Sequence, residues 1–171
     1  MHELNVSRLM RTAIVAGATV AALALGGCQT SAPATHGFTP AQVTVLKQQG
    51  FVETADGWTL GLSDKVLFDS DADALSIDSQ RAIGKLGESL LAVGIGHLRV
   101  FGYTDASGTD AYNDALSARR AAAVALALTG AGMNPANIQQ RGMGKQYPVA
   151  DNRTAEGRAQ NRRVAIVVEA E

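Results

Sequence analysis

Apolar residues recur along the chain with two periods, and together they predict alternating strands and helices. Residues 57–63 alternate between apolar and small or polar side chains, as in a half-buried strand. Apolar residues three and four positions apart predict long helices over residues 77–93 and 110–129, the second with Asp110 as its N-cap. The continuous apolar run in 163–169 predicts a strand covered on both faces.

The other predicted elements follow from shorter patterns and from turn residues. They are a helix over 41–49, a strand at 65–68 that continues or follows the first one, strands over 98–103 and 138–142, and a helix over 155–161. The resulting order, β-α-β-α-β-(α)-β, predicts an α/β (α+β) two-layer sandwich with a mixed four-stranded sheet. We expect this domain to occupy residues 57–171.

A short helix precedes the predicted domain, within residues 40–56. Thr39 and Pro40 are typical of an N-cap and a first helical residue, and Gly50 is typical of a helix end. A helix of this length is too short to be stable alone. Two interpretations remain open: it docks on the domain, or it awaits a protein partner.

The N-terminal segment predicts a bacterial lipoprotein leader. Arg8 and Arg11 precede a largely apolar, uncharged stretch over residues 12–25, which at fourteen residues is shorter than the roughly 20 that a membrane span needs. The stretch ends Leu25-Gly26-Gly27-Cys28, which resembles a lipobox. We therefore expect cleavage after residue 27 and a lipid on Cys28.

The residues after Cys28 predict where the protein is anchored. Residue 29 is Gln rather than Asp, which, by resemblance to enterobacterial sorting, implies the outer membrane, with the domain facing the periplasm. Residues 28–39 are rich in Ser, Thr, Ala, Pro and Gly and are typical of a flexible tether.

Composition and motifs exclude several classes of function. The net charge of −1 and the 5% aromatic content give no sign of a nucleic-acid binder. Cys28 is the only cysteine, so the chain has no internal disulfide. The chain shows no phosphate-binding glycine loop, HExxH or CxxC motif and no nucleophile–base pair, so we predict no enzyme activity, no cofactor and no metal site.

One charged residue interrupts the apolar stripe of the helix predicted over 110–129. With Leu116 at the centre of the stripe, Asn113 and Val124 lie on the same side and Arg120 falls in the middle. A buried guanidinium needs an anion, because an unpaired buried charge is costly. Asp105, just after the strand over 98–103, is a candidate partner.

Two interpretations of Asp105 and Arg120 remain open at this stage. The pair is either an internal ion pair, or a clamp in which Arg120 binds a carboxylate bidentately and Asp105 accepts an ammonium group. The clamp suits a zwitterionic amino-acid end, and Asn113 on the same face adds an amide.

The spacing of Thr104-Asp105, Leu116-Ser117, Arg120-Ala121, Val124 and Leu128 resembles the signature of OmpA-like peptidoglycan-binding domains. Residues 142–144, 148–149 and 157–164 extend this resemblance, which covers residues 57–169.

The resemblance implies a ligand and a set of residues that bind it. Asp105 and Arg120 would hold the free amino-acid end of meso-diaminopimelate in the peptidoglycan stem peptide. Asn113 and Thr104 would lie at the same pocket, and Asp71 would contribute from the loop after the first strand. The implied function is non-covalent attachment of the outer membrane to the cell wall.

Four further segments, residues 28–30, 41–51, 56–58 and 63–68, look similar to the YfiB-type branch of this family. That branch comprises outer-membrane lipoproteins that bind peptidoglycan and capture a periplasmic repressor, YfiR, which releases an inner-membrane diguanylate cyclase. The similarity implies that residues 35–70 form a partner-binding region.

Overall fold

The computed structural model describes residues 37–68 and 74–169. The expected signal peptide, Cys28, most of the expected tether and Asp71 lie outside the described residues. The described α-helices are α1 (Pro40–Gln48), α2 (Asp64–Leu67), α3 (Ile77–Ala92), α4 (Asp110–Gly130) and α5 (Ala155–Asn161), and a short 3-10 helix spans Pro135–Asn137. The described strands are β1 (Val52–Thr54), β2 (Gly57–Ser63), β3 (Leu98–Tyr103), β4 (Ile138–Gly142) and β5 (Arg163–Val168).

Within this described part, the strands form one mixed sheet in the order β1-β2-β5-β3-β4. β3 and β4 are parallel, and the other neighbouring strands are antiparallel. The last strand of the chain, β5, therefore lies in the middle of the sheet, between β2 and β3. This arrangement confirms the predicted fold class.

The sheet has five described strands rather than the predicted four, because β1 was not predicted. β1 has only three residues, all exposed, and Val52 pairs with Thr59 and Glu53 with Trp58 at the edge of the sheet. Three exposed residues are too few to show the alternation that identifies a strand.

The strand predicted at residues 65–68 is wrong, since this segment forms the short helix α2. Its apolar run was ambiguous, because short runs of this kind occur in both strands and helices. The amide of Phe68 donates to the carbonyl of Asp64 at 2.9 Å, which closes one helical turn. Leu67 and Phe68 are buried, whereas Val66 is 69% exposed.

The core lies between the sheet and the helices α3 and α4. Leu90 on α3, Leu128 on α4 and Ile166 on β5 are all completely buried there. The residues of β5 that face the other side of the sheet, Ala165 and Val167, are also buried. The expectation that both faces of this strand are covered is confirmed.

Helix α1 docks on the domain, which resolves the two interpretations of the preceding segment. The side chain of Thr39 caps the helix by accepting from the amide of Gln42, and Pro40 is its first residue. Leu46 is completely buried in the core, and α1 contacts α3. Gly50 follows the helix with φ 84°, a conformation that favours glycine.

Helix α4 differs from its prediction in two details. Thr109, not Asp110, is the N-cap, and its hydroxyl accepts from the amide of Tyr112 at 3.3 Å. The buried stripe is centred near Ser117 rather than Leu116, which is only half-buried. A Cβ atom on Gly102 of β3 would lie 2.0 Å from the carbonyl oxygen of Ser117. The helix backbone thus packs directly on the strand at a small polar residue, where hydrophobicity gives no signal.

Candidate functional site

A pocket of about 580 Å³ opens beside the end of β3 and the first half of α4. Its lining combines four buried or partly buried charged side chains with an apolar wall. The lining residues are Asp64, Lys65, Phe68, Thr104, Asp105, Ser107, Tyr112, Asn113, Leu116, Arg120 and Arg162. A groove of about 650 Å³ between α3 and α4 is larger and more apolar. We take the smaller pocket as the candidate site because its charges converge.

Arg120 is the most deeply buried charge in this pocket, at 6% exposure. Its Nη2 atom lies 2.8 Å from Oδ1 of Asp64, and its guanidinium lies over the ring of Phe68, 5.2 Å from the ring centroid. Within the described residues, Nε and Nη1 of Arg120 and Oδ1 of Asp64 have no hydrogen-bond partner, so the contact between Arg120 and Asp64 is an ion pair without a hydrogen bond at Oδ1.

Asp105 is held by two hydrogen bonds of its own. Its Oδ2 atom accepts from Nη1 of Arg162 at 2.7 Å, and its Oδ1 atom accepts from the amide of Ser107 at 2.8 Å. Arg162 also lies near Asp64, with 3.6 Å between Nε and Oδ2. The contacts run Asp105–Arg162–Asp64–Arg120, which we call the charge network.

Of the two interpretations left open by the sequence, the charge network contradicts the internal Asp105–Arg120 ion pair. Arg120 pairs with Asp64, which was not predicted as a site residue, and Asp105 pairs with Arg162. Asp64 begins a helix whose segment was predicted as a strand. Arg162 lies in the Asn161-Arg162-Arg163 run, which carried the family resemblance but was not assigned to the ligand.

The two carboxylates of the charge network differ in pKa. Burial raises the pKa of Asp64, assisted by the charge of Asp105, and this outweighs attraction to Arg120 and Arg162. Burial also acts to raise the pKa of Asp105, but the hydrogen bonds from Arg162 and Ser107 outweigh it and lower that pKa. Asp105 is therefore the firmly ionised member, and Asp64 is the carboxylate whose charge is less well satisfied.

Thr104 and Asn113, both predicted as ligand-binding, line the pocket and are buried. Nδ2 of Asn113 donates to the carbonyl of Ser107 at 2.8 Å, so this amide also holds the loop that positions Asp105. The amide of Thr104 donates to the carbonyl of Gly144 at 2.8 Å, whereas its hydroxyl has no hydrogen-bond partner among the residues described. Asp71 is outside the described residues, so its predicted role stays a prediction.

The pocket has an apolar wall that the sequence did not predict. Phe68 and Leu116 line it, and Tyr112 stands 57% exposed on the first turn of α4. Lys65 adds a positive charge.

In the described ranges, no three His, Cys, Asp or Glu side chains are grouped as metal ligands. No helix in those ranges has the length and apolarity of a membrane span.

The chain matches a known family of domains. The model of the OmpA family matches residues 67–162. The chain therefore belongs to the OmpA family.

Two relatives resemble nearly the whole chain. The outer-membrane lipoprotein YfiB of Pseudomonas aeruginosa is 46% identical over 170 residues, covering 99% of this chain and 98% of the relative. The putative lipoprotein YfiB of Escherichia coli is 43% identical over 156 residues, covering 91% and 96%. These relatives confirm the predicted resemblance and the predicted location, a lipoprotein of the outer membrane. Lipidation of Cys28 itself stays a prediction.

A solved structure supports the same fold. The peptidoglycan-associated lipoprotein of Burkholderia pseudomallei superposes with a TM-score of 0.55 at 31% identity, over 64% of this chain and 89% of that chain.

Proposed function

We propose that this protein binds peptidoglycan non-covalently through the diaminopimelate of the stem peptide and so links the outer membrane to the cell wall. The observation that carries the proposal is Arg120, a buried guanidinium with unpartnered donors among the described residues, beside two carboxylates in an open pocket. Such donors suit a ligand carboxylate, and Asp105 suits the ammonium on the same carbon. The Burkholderia structure, named for its association with peptidoglycan, supports the same ligand class.

The rest of the chain supports an anchoring role. A lipid on Cys28 would hold one end in the outer membrane, while the pocket holds the wall. Several acyl chains on one residue make a stable anchor, since each buried methylene contributes about 0.8 kcal/mol. Reversible binding by the pocket would complete the link without a covalent bond to peptidoglycan.

The test is retention of the full chain on isolated sacculi that contain diaminopimelate. We expect the Asp105→Ala, Arg120→Ala double variant to lose retention. The matched control is Asp78→Ala, Arg81→Ala, which removes an exposed Asp–Arg pair on α3, away from the pocket. Equal retention of the double variant and the wild type would rule out the pocket.

A second set of sacculi tests the chemistry of the ligand. Lysine-type peptidoglycan lacks the carboxylate that would meet Arg120. We expect weaker retention of the wild type on it, with no further loss when Arg120→Ala alone is introduced.

We propose that the binding is not accompanied by catalysis. No nucleophile–base set is visible in the motifs, and the charge network consists of carboxylates and arginines. We expect muropeptide profiles of the sacculi to be unchanged after incubation with the protein. New muropeptides would contradict this.

A second candidate function is YfiB-type signalling, in which the protein captures a periplasmic repressor of YfiR type and so activates an inner-membrane diguanylate cyclase. The observation that favours it is the similarity to Pseudomonas YfiB along 99% of the chain, beyond the family match at residues 67–162. In the expected partner region, residues 35–70, the side chains of Val52 and Val66 are 65% and 69% exposed.

Co-purification from periplasm tests this second function. We expect Val52→Asp and Val66→Asp to reduce capture of a repressor while retention on sacculi is kept. Leu126→Asp is the control, because Leu126 is 73% exposed on α4, outside that region. If the wild type recovers no repressor, the signalling function is wrong.

A further inference from the structure

We propose that Asp64 sets the affinity of the pocket by competing with the ligand's carboxylate for Arg120. This inference rests on the proposed peptidoglycan site. It assigns a role to a residue that lies at the start of α2 and outside the recognised signature. The ligand class concerned is a free α-amino-acid end, as in diaminopimelate.

The geometry of Arg120 creates the competition. A carboxylate binds a guanidinium most tightly through two donors on one edge, either Nε with Nη2 or Nη1 with Nη2. Nη2 belongs to both edges, and Oδ1 of Asp64 lies 2.8 Å from it. The other donor of each edge, Nε or Nη1, has no hydrogen-bond partner among the described residues. Nη2 has one N–H along each edge, so a ligand carboxylate on either edge shares this nitrogen with Asp64, and the two carboxylates lie side by side even where they use different N–H groups.

Two carboxylates at one nitrogen repel each other, and in a partly buried site this repulsion is weakly screened. The side chain of Asp64 is only 16% exposed. Binding thus favours the protonated form of Asp64, whether or not its side chain also shifts. Arg162 offers a displaced Asp64 a second partner, since its Nε already lies 3.6 Å from Oδ2.

The charges around Asp64 define how pH acts on this competition. Arg120 faces it from α4, Arg162 from the junction of α5 and β5, and Asp105 from the loop after β3, while Lys65 is its neighbour on α2. Burial already raises the pKa of Asp64, and a bound carboxylate would raise it further. Binding then takes up a proton, so the affinity rises as pH falls. Asp105, with its lowered pKa, stays ionised.

The experiment is calorimetric titration of the full chain in detergent with a muramyl tripeptide ending in meso-diaminopimelate. We expect Asp64→Asn to bind at least about tenfold more tightly than the wild type at about pH 7. We expect the wild type to bind more tightly at about pH 5 than at about pH 7, and Asp64→Asn to show little of this change. Asp78→Asn is the matched control, because Asp78 is an exposed first-turn acid of α3.

Two further measurements separate charge from packing. Asp64→Glu keeps the charge, so we expect it to retain a pH-dependent affinity. Titration of the wild type in buffers of different ionisation enthalpy measures the proton uptake without any substitution. Absence of proton uptake overturns the proposal even if Asp64→Asn does not fold.

The outcomes distinguish this inference from the proposed function. If the wild type binds and Asp105→Ala does not, but Asp64→Asn binds equally or more weakly, the competition is wrong and the peptidoglycan site stands. If the wild type does not bind the peptide, the proposed function fails and this inference fails with it.

Discussion

Helices α3 and α4 lie on the same face of the sheet but bury different kinds of side chain. The buried side of α3 carries apolar residues such as Ile83 and Leu90. The first half of α4 instead buries Asn113, Ser117 and Arg120, which we call the polar stripe of α4. Only its second half resembles α3, with apolar residues in the core.

The difference shows how one layer of helices can serve two purposes. The buried apolar residues of α3 need only apolar neighbours, whereas each buried polar residue of α4 needs a specific partner. Ser117, for example, accepts from the amide of Gly144 at 2.9 Å and donates to the carbonyl of Asp114 at 3.0 Å. Such partners hold the pocket in place. We therefore expect substitutions on α3 to change stability, and substitutions around the polar stripe to change binding as well.

The largest expected effect is on stability, from Leu90→Ala in α3. Leu90 is completely buried, and its truncation leaves a cavity that costs about 3 kcal/mol of unfolding free energy. Urea denaturation measures this loss. The remaining folded protein should bind sacculi normally, and a loss of binding without a loss of stability would contradict the comparison.

Gly102→Ala, on the strand beneath the polar stripe, should cost less stability than Leu90→Ala but should weaken binding as well. The new Cβ would lie 2.0 Å from the carbonyl oxygen of Ser117, so α4 must shift, at about 2 kcal/mol. Because α4 carries Arg120, retention on sacculi should weaken too. Gly61→Ala is the control, since a Cβ there meets nothing within 4 Å. If Gly102→Ala retains full binding, α4 does not need its close approach to the strand.

Acidification tests how much Asp105, the firmly ionised carboxylate of the charge network, contributes to stability. The pKa of Asp105 is lower in the folded than in the unfolded state, so Asp105 stabilises the protein above its unfolded pKa. This contribution is lost as pH falls through the folded pKa. The pKa of Asp64 is raised on folding, so the contribution of Asp64 to stability changes in the opposite sense and falls as pH rises.

We therefore expect Asp105→Asn to lose less stability on acidification than the wild type, by about 1 kcal/mol. Denaturation at about pH 6 and about pH 3 measures the difference. Asp78→Asn, on exposed α3 surface, should behave like the wild type. Identical acid profiles for Asp105→Asn and the wild type would show that the hydrogen bonds of Asp105 do not depend on its charge.

The smallest expected effect contrasts two glycines within α3. A Cβ on Gly84 meets nothing within 4 Å, so Gly84→Ala should stabilise the protein by about 0.5–1 kcal/mol through helix propensity. A Cβ on Gly87 would lie 3.0 Å from Cβ of Ala131 on the segment after α4, so Gly87→Ala should give no such gain. Thermal unfolding measures both. Equal gains in stability for the two variants would show that α3 tolerates an added methyl group where it packs against α4.

Elements with a long periodic pattern were predicted well. The strand at 98–103 has the predicted bounds, and α3 and α4 differ from theirs by one residue at an end. The errors fell on short segments, where β1 was missed and α2 was predicted as a strand. Three or four residues contain too little of either period to separate a helix from a strand.

The candidate site was predicted in part. Thr104, Asp105, Asn113 and Arg120 all line one pocket, as expected. Asp64 was missed, although it is the carboxylate that Arg120 contacts. Only the family resemblance assigned the predicted residues to a ligand, since the residues alone left an internal pair and a clamp equally open.

The sequence by itself determined the alternation of elements, the order of helices and strands, and the presence of a charge at position 120 on a buried helix face. These depend on local periodicity, which a single chain displays directly. Only the tertiary structure decided which anion meets that charge. β5 pairs with both β2 and β3, and this brings Asp64 at the end of β2, Arg162 before β5 and Asp105 after β3 together beside Arg120. Contacts between segments so far apart in the chain depend on strand order, which no local pattern encodes.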